Sequence, residues 1–172
     1  MHEDEIGIST PPNPRNPNVS IPLGCLLPVG VDGIALSDQW RDRFGTYLGL
    51  TIPNLPNLFL IHGPESPSVL FNMPLGAELE AEWIRDCMLY MRAEGIGSIQ
   101  PAEGTDTAWG EEVAAIADHT LFPQTDSWYT GANIPGKPRV FMPYIGGFPT
   151  YVRKCDEVAA NGYEGFDRHP SA

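Results

Sequence analysis

The sequence predicts an α/β chain, mainly helices with a few short strands, forming one folding unit. Three observations support this. The 172 residues lie within the span of a single domain. Apolar residues between about 72 and 94 recur along one helical face, the pattern of a long amphipathic helix. Leu58-Phe59-Leu60-Ile61 is a short apolar run between the turn formers Pro56-Asn57 and His62-Gly63-Pro64, which predicts a buried strand. Gly and Pro number 18 each, well above ordinary usage, so long loops around a modest core are expected.

Taken in order, residues 1–30 read as a Pro-rich irregular tail. Pro11, Pro12, Pro14 and Pro17 remove backbone donors and restrict the residues before them, which excludes helix or central strand. Patterning for a folded unit begins near Asp32, and Ser37 is placed to cap a short helix carrying Trp40 and Phe44. The long helix is expected from about Asn72 or Pro74 to Glu94, with Trp83/Ile84, Cys87/Met88 and Met91 facing inward. Glu78, Glu80, Glu82, Arg85 and Arg92 are assigned to its outer surface. Acids crowd its first half and Gly95 stops it. A second helix, about Thr107 to Thr120 with Asp106 as cap, gathers Trp109, Val113, Ile116 and Ala117. A third, about Thr150 to Asn161, gathers Tyr151, Cys155, Val158 and Ala159, and Val140 to Tyr144 reads as a further strand.

Composition excludes several function classes. With 22 acidic against 10 basic residues the net charge is -12, a poor footprint for nucleic acid. The longest apolar stretch, Val19 to Leu36, is broken by prolines, glycines and Asp32, so no membrane span is expected. The acidic start Met1-His2-Glu3-Asp4-Glu5 is unlike a secretory signal. Cys25, Cys87 and Cys155 are widely spaced and form no CxxC pair, as expected of reduced thiols in a cytoplasmic protein. The four histidines share no ligand spacing, so no metal site is expected. There is no GxGxxG, P-loop or GxSxG. Gly95-Ile96-Gly97-Ser98-Ile99-Gln100 comes nearest to the first, but it follows a helix and has Gln at the last position.

Two segments carry possible chemistry. Ile61 to Met73 runs from the apolar stretch through a Gly/Pro/Ser turn into the long helix. That arrangement aims backbone N–H groups and a helix dipole at one spot, suiting an anionic or electron-rich ligand such as a flavin edge. The alternative is an ordinary capped turn. Ser127 to Arg139 joins two aromatics to a Gly/Asn/Pro-rich loop ending in cations. It reads either as a lid or as a surface loop with Trp128 and Tyr129 plugged into the core.

Gly63-Pro64-x-Ser66-Pro67-Ser68-Val69-Leu70-x-Asn72-Met73 and Ser127-Trp128-Tyr129-x-Gly131-Ala132-Asn133-Ile134-Pro135-Gly136-Lys137-Pro138-Arg139, followed by Cys155 to Phe166, resemble the C-terminal third of flavin-dependent Baeyer–Villiger monooxygenases. Thr46 to Leu50 and Pro56 to Phe59 fit the same pattern. The resemblance runs in order through residues 31–166. It implies the C-terminal part of an FAD-binding domain plus a lid loop, within a flavoprotein fold having two dinucleotide-binding domains, and leaves 167–172 as tail. It also implies FAD and NADPH as cofactors of the intact enzyme, O2 as oxidant, and a small ketone converted to an ester or lactone. Ser68, Val69 and Leu70 would then lie near the flavin and substrate, Met73 beside them, and Trp128 on the lid against NADP. Ser127, Asn133 and Lys137 lie on that loop without separate chemistry, and no residue is assigned a catalytic role.

The Rossmann motifs and the rest of that family's fingerprint are not in this sequence. The chain therefore reads as a piece that retains neither cofactor and does not turn over alone, with a separate N-terminal polypeptide as a conceivable partner. The alternative is a small acidic interaction module without chemistry. The Trp83/Met88/Met91 face and the Leu58–Ile61 edges are expected to be partly open to water, making the isolated chain poorly soluble or loosely packed.

Overall fold

A computed structural model of the chain describes residues 28–42, 45–67, 71–124, 126, 128–130 and 140–171. In chain order the elements are α1 (Leu36–Asp42), α2 (Met73–Ala93), β1 (Ile96–Pro101), α3 (Thr105–Asp118), α4 (Phe148–Ala160) and β2 (Phe166–Pro170), with single 3-10 turns at Phe122–Gln124 and Trp128–Thr130.

Local chemistry sets the limits of α2. The Asn72 side chain accepts from Leu75 N–H, and Pro74 sits where a missing donor costs nothing. At the far end Glu94 N–H returns to Tyr90 O and Gly95 takes φ +66°, conformationally cheap only for glycine. Gly76, Glu80, Trp83, Cys87 and Met91 are its buried residues, a single stripe at helical spacing. Glu80, expected on the outer surface, is thus inside, and no acid occupies the first turn. Trp83 and Met91, expected to be partly open, are covered by the chain itself, whereas Met88 and Leu89 remain 59% and 55% exposed.

The other helices begin slightly earlier than expected. α1 starts at Leu36, so Ser37 lies inside it, and Phe44 falls outside the described residues. α3 starts at Thr105 behind Gly104 in a left-handed conformation, so Asp106 is a first-turn acid near the positive helix end instead of the cap. α4 starts at Phe148 and ends at Ala160, with Asn161 as its C-cap and Gly162 at φ +69°.

The strands differ more. Leu58–Ile61 makes one isolated antiparallel bridge, Thr51 with Phe59, supported by Leu60 N–H to Leu50 O. Positive φ at Asn57 and His62 turns the chain at both ends, and Ile61 is 53% exposed, so no buried strand forms. Residues 140–144 are extended with a single parallel bridge, Tyr144 to Pro67. The sheet comes from elsewhere: β1 pairs antiparallel with β2, Ile99 opposite Arg168 and Pro101 opposite Phe166, with an irregularity between Ile96 and Ser98. β1 contains most of the glycine-bearing 95–100 segment, and β2 contains residues 167–170, read from the sequence as tail.

The main core gathers Trp83, Cys87 and Met91 of α2, Trp109 and Val113 of α3, Tyr151 and Cys155 of α4, and Leu48, Leu50, Tyr144, Tyr163 and Phe166 from the connections. Its aromatic rings interlock: Trp109 stacks on Tyr144 at 5.3 Å and 8°, and Trp83 meets Tyr163 edge-on at 5.2 Å. Trp83 Nε1–H donates to Cys155 O at 2.9 Å, so α2 and α4 are joined by a hydrogen bond inside the core. A second, smaller cluster is built on Leu36, Ile52 and Leu55.

Candidate functional site

The turn after Ile61 is held by its surroundings. His62 and Glu65 both adopt positive φ, +55° and +67°, which non-glycine residues tolerate only where the surroundings compensate. The Glu65 side chain supplies that compensation. Buried to 1% exposure, its Oε2 accepts from Thr46 N–H and from the Thr46 hydroxyl, both at 2.9 Å. Trp109 Nε1–H donates to Glu65 O at 3.2 Å. Gly49, at φ +71°, lets the chain pass so close that a Cβ there would come within 2.5 Å of Ser66.

Residues 142–144 then join this turn to a second segment. Glu65 N–H donates to Met142 O, Tyr144 N–H donates to Ser66 O at 2.9 Å, and Met142 N–H donates to Tyr129 O at 2.9 Å. The 63–67 turn and the Trp128–Thr130 turn are therefore bound to the same extended stretch.

The start of α2 is less open than expected. Leu75 N–H is taken by the Asn72 side chain, Pro74 has no N–H, and Gly76 N–H returns to Asn72 O. For these residues the capped-turn alternative holds, and no array of free donors is left at residues 74–76. His62 Nε2 lies 2.9 Å from Met73 O and ties the turn to the first residue of the helix.

Behind the turn, Glu80 Oε2 accepts His62 N–H at 2.7 Å and lies 3.5 Å from His62 Nδ1. Burial raises its carboxyl above the usual range, while hydrogen bonds from the His62 backbone and from Tyr151 and Ser66 act in the opposite direction. A proton held more tightly in the folded state stabilises at low pH, and that contribution is lost as pH rises through the elevated folded value. Burial also pushes the thiols of Cys87 and Cys155 up to about 12. Both should therefore alkylate at pH 8 roughly a thousandfold more slowly than in denaturant, measured per residue by mass spectrometry.

Of the residues singled out from the sequence, Ser68, Val69 and Leu70 lie outside the described residues, as do Ser127, Asn133 and Lys137. Met73 is the half-buried first residue of α2, and Trp128 opens the 128–130 turn. Sequence reading missed Thr46, Glu65 and Tyr151 as supports of the turn. Glu80 had a signal, since it falls on the stripe of Trp83, Cys87 and Met91.

The Glu65, Ser66, Leu75 and Gly76 N–H groups around the turn are used internally and so are not offered to a pyrophosphate, which needs several converging N–H groups. Clefts of about 160 Å³ over α2 and α4 and 310 Å³ over α3 and α4 do not include the 63–67 turn in their walls. Among the described residues no group of His, Cys, Asp and Glu could hold a metal, and no helix is long and apolar enough to cross a membrane.

No protein-family model matches the chain. A cyclohexanone 1,2-monooxygenase of Acinetobacter sp. is 37% identical over 138 residues, 80% of this chain and 25% of the relative. A Baeyer–Villiger monooxygenase of Pseudooceanicola batsensis is 37% identical over 143 residues, 83% of this chain and 26% of the relative. The crystal structure of cyclohexanone monooxygenase from Rhodococcus sp. Phi1 bound to NADP+ superposes with a TM-score of 0.78 at 35% identity, covering 83% of this chain and 27% of that one. The chain thus spans about a quarter of the length of the relatives it matches. Agreement of sequence and fold over about four-fifths of its residues places this chain in the Baeyer–Villiger monooxygenase family.

Proposed function

We propose that the chain supplies the lid-bearing part of a flavin- and NADP-dependent monooxygenase that inserts an oxygen atom beside a ketone carbonyl, giving an ester or lactone. One observation carries the reading. Residues 142–144 hydrogen-bond to Glu65 and Ser66 on one side and to Tyr129 on the other. These are the stretches that the resemblance assigns to the flavin edge and to the lid, and tying them to one support lets movement of either be felt by the other. FAD and NADPH supply the oxygen activation and the hydride when bound. This chain contributes placement: Ser68, Val69, Leu70 and Met73 on the flavin side and Trp128 on the nicotinamide side.

On this reading residues 31–166 are the C-terminal part of an FAD-binding domain, and the pyrophosphate sites belong to polypeptide corresponding to the other three-quarters of the relatives. The free, buried thiols Cys87 and Cys155 suit a reducing cytoplasm. The test is complementation. Alone, the chain should leave gel filtration without flavin. Mixed with the remaining portion of cyclohexanone monooxygenase and FAD, it should restore ketone-dependent NADPH oxidation. Flavin retained by the chain alone would overturn the placement role. So would a silent mixture under conditions where the relative's own matching piece restores activity.

A further inference from the structure

A histidine ring ties His62 to Met73 at the start of α2, and a buried carboxylate stands behind that ring. Met73 O can only accept, so at 2.9 Å it requires the hydrogen to be on His62 Nε2. In the neutral ring Nδ1 is then bare. It is a buried atom without a hydrogen-bond partner, 3.5 Å from Glu80 Oε2. The other carboxylate oxygen has a donor beside it: the Tyr151 hydroxyl, which lies 2.8 Å from Leu48 O, also faces Glu80 Oε1 at 3.5 Å.

One acceptor-to-acceptor contact, Nδ1 against Oε2, therefore remains at Glu80, and a single proton relieves it. That proton sits on Oε2 or on Nδ1, between the two atoms. No proton at all would leave the contact repulsive. Two protons would leave a cation without a counter-charge at a ring only 23% exposed.

We infer that His62 and Glu80 are positioning residues that share one proton and through it hold His62 against Met73, the first residue of α2. The word positioning rests on the function proposed above; the shared proton does not. The titratable and charged groups around the pair come from each packed element. The turn contributes Ser66 as a hydroxyl donor, α4 contributes Tyr151 and Cys155, and Glu82, Asp86 and Asp156 line the adjoining cleft. Arg85 is engaged with Asp86 and Glu82. Burial of the Glu80 carboxyl opposes its negative charge and so favours retention of the proton.

Long-range proton–nitrogen NMR on the full chain tests this, with His62 assigned from His62→Gln. The ring should be in the Nε2–H tautomer. The Met73 amide should follow the same titration curve as the His62 ring nitrogens, His62→Gln should abolish that dependence at Met73, and Glu80→Gln should move both curves together. Glutamine at 62 keeps a donor for Met73 O, so exchange of the Gly76 amide should stay within about twofold. His62→Ala should speed it about tenfold, the loss of one hydrogen bond. An Nδ1–H tautomer overturns the inference, and so does a Met73 titration that persists in His62→Gln or is unmoved in Glu80→Gln. The tautomer is read on the unaltered chain and needs no variant to fold. None of these measurements involves flavin, so a failed complementation leaves the shared proton standing, and loss of the shared proton leaves a successful complementation standing.

Discussion

Replacing Trp109 with alanine is expected to remove about 3–5 kcal/mol of stability, enough to unfold much of a marginally stable chain. Trp109 is 3% exposed at the meeting point of several elements. Its ring stacks on Tyr144, lies 6.5 Å from Tyr151 and carries the Lys154 ammonium 5.6 Å above it. Alanine would open a cavity between α3 and α4 and deprive Glu65 O of its donor. Trp109→Phe should keep part of the stack while losing the hydrogen bond and the volume of the second ring, and so cost less than alanine. Denaturant titration of both variants measures the difference. Similar midpoints for alanine and wild type would show that this ring does not hold the core.

Glu65→Ala is expected to cost about 3 kcal/mol, more than Glu65→Gln. The carboxylate takes both the Thr46 N–H and the Thr46 hydroxyl, and the hydroxyl alone has a second acceptor, Pro64 O at 2.8 Å. Alanine therefore leaves a buried amide without a partner, whereas glutamine keeps an acceptor oxygen in place. Gly110 explains the fit, because a Cβ there would meet Glu65 Oε1 at 2.9 Å. The positive φ at 65 strains alanine and glutamine alike, so the contrast between the two variants isolates the side-chain hydrogen bonds. Denaturant midpoints measure the order. Equal losses would mean that the cost comes from the backbone turn and not from the carboxylate.

How far the fold could be read from the residues depends on the range of the forces involved. The cap at Asn72, the helical proline at 74 and the glycine stop at 95 act within a turn of the chain, and α2 lies where they put it. Trp109, Val113 and Ala117 face inward on α3 as their spacing requires. Glu80 was misread because its charge was weighed above its angle. It lies on the buried stripe, and burial is tolerated because His62 and Tyr151 meet it there. β2 was missed because only Phe166 of its residues is buried, so it carries no alternation, and its partner β1 lies some seventy residues earlier.

The candidate site divides in the same way. The turn formers at 63–67 and the aromatics at 128–129 stand out in the sequence, and their unusual run of residues is enough to reveal kinship. That they share one support was not readable, because it depends on backbone hydrogen bonds from residues 142–144 to partners more than seventy positions away on one side and thirteen on the other. Sequence alone determined the helices, the turn residues and the family, since these rest on neighbours within a few positions and on a conserved order of side chains along this chain and its relatives. Tertiary structure alone decided which acids are buried and what the turns rest on. Burial and hydrogen bonding between distant segments have no local signature, and they arise only when the chain closes on itself.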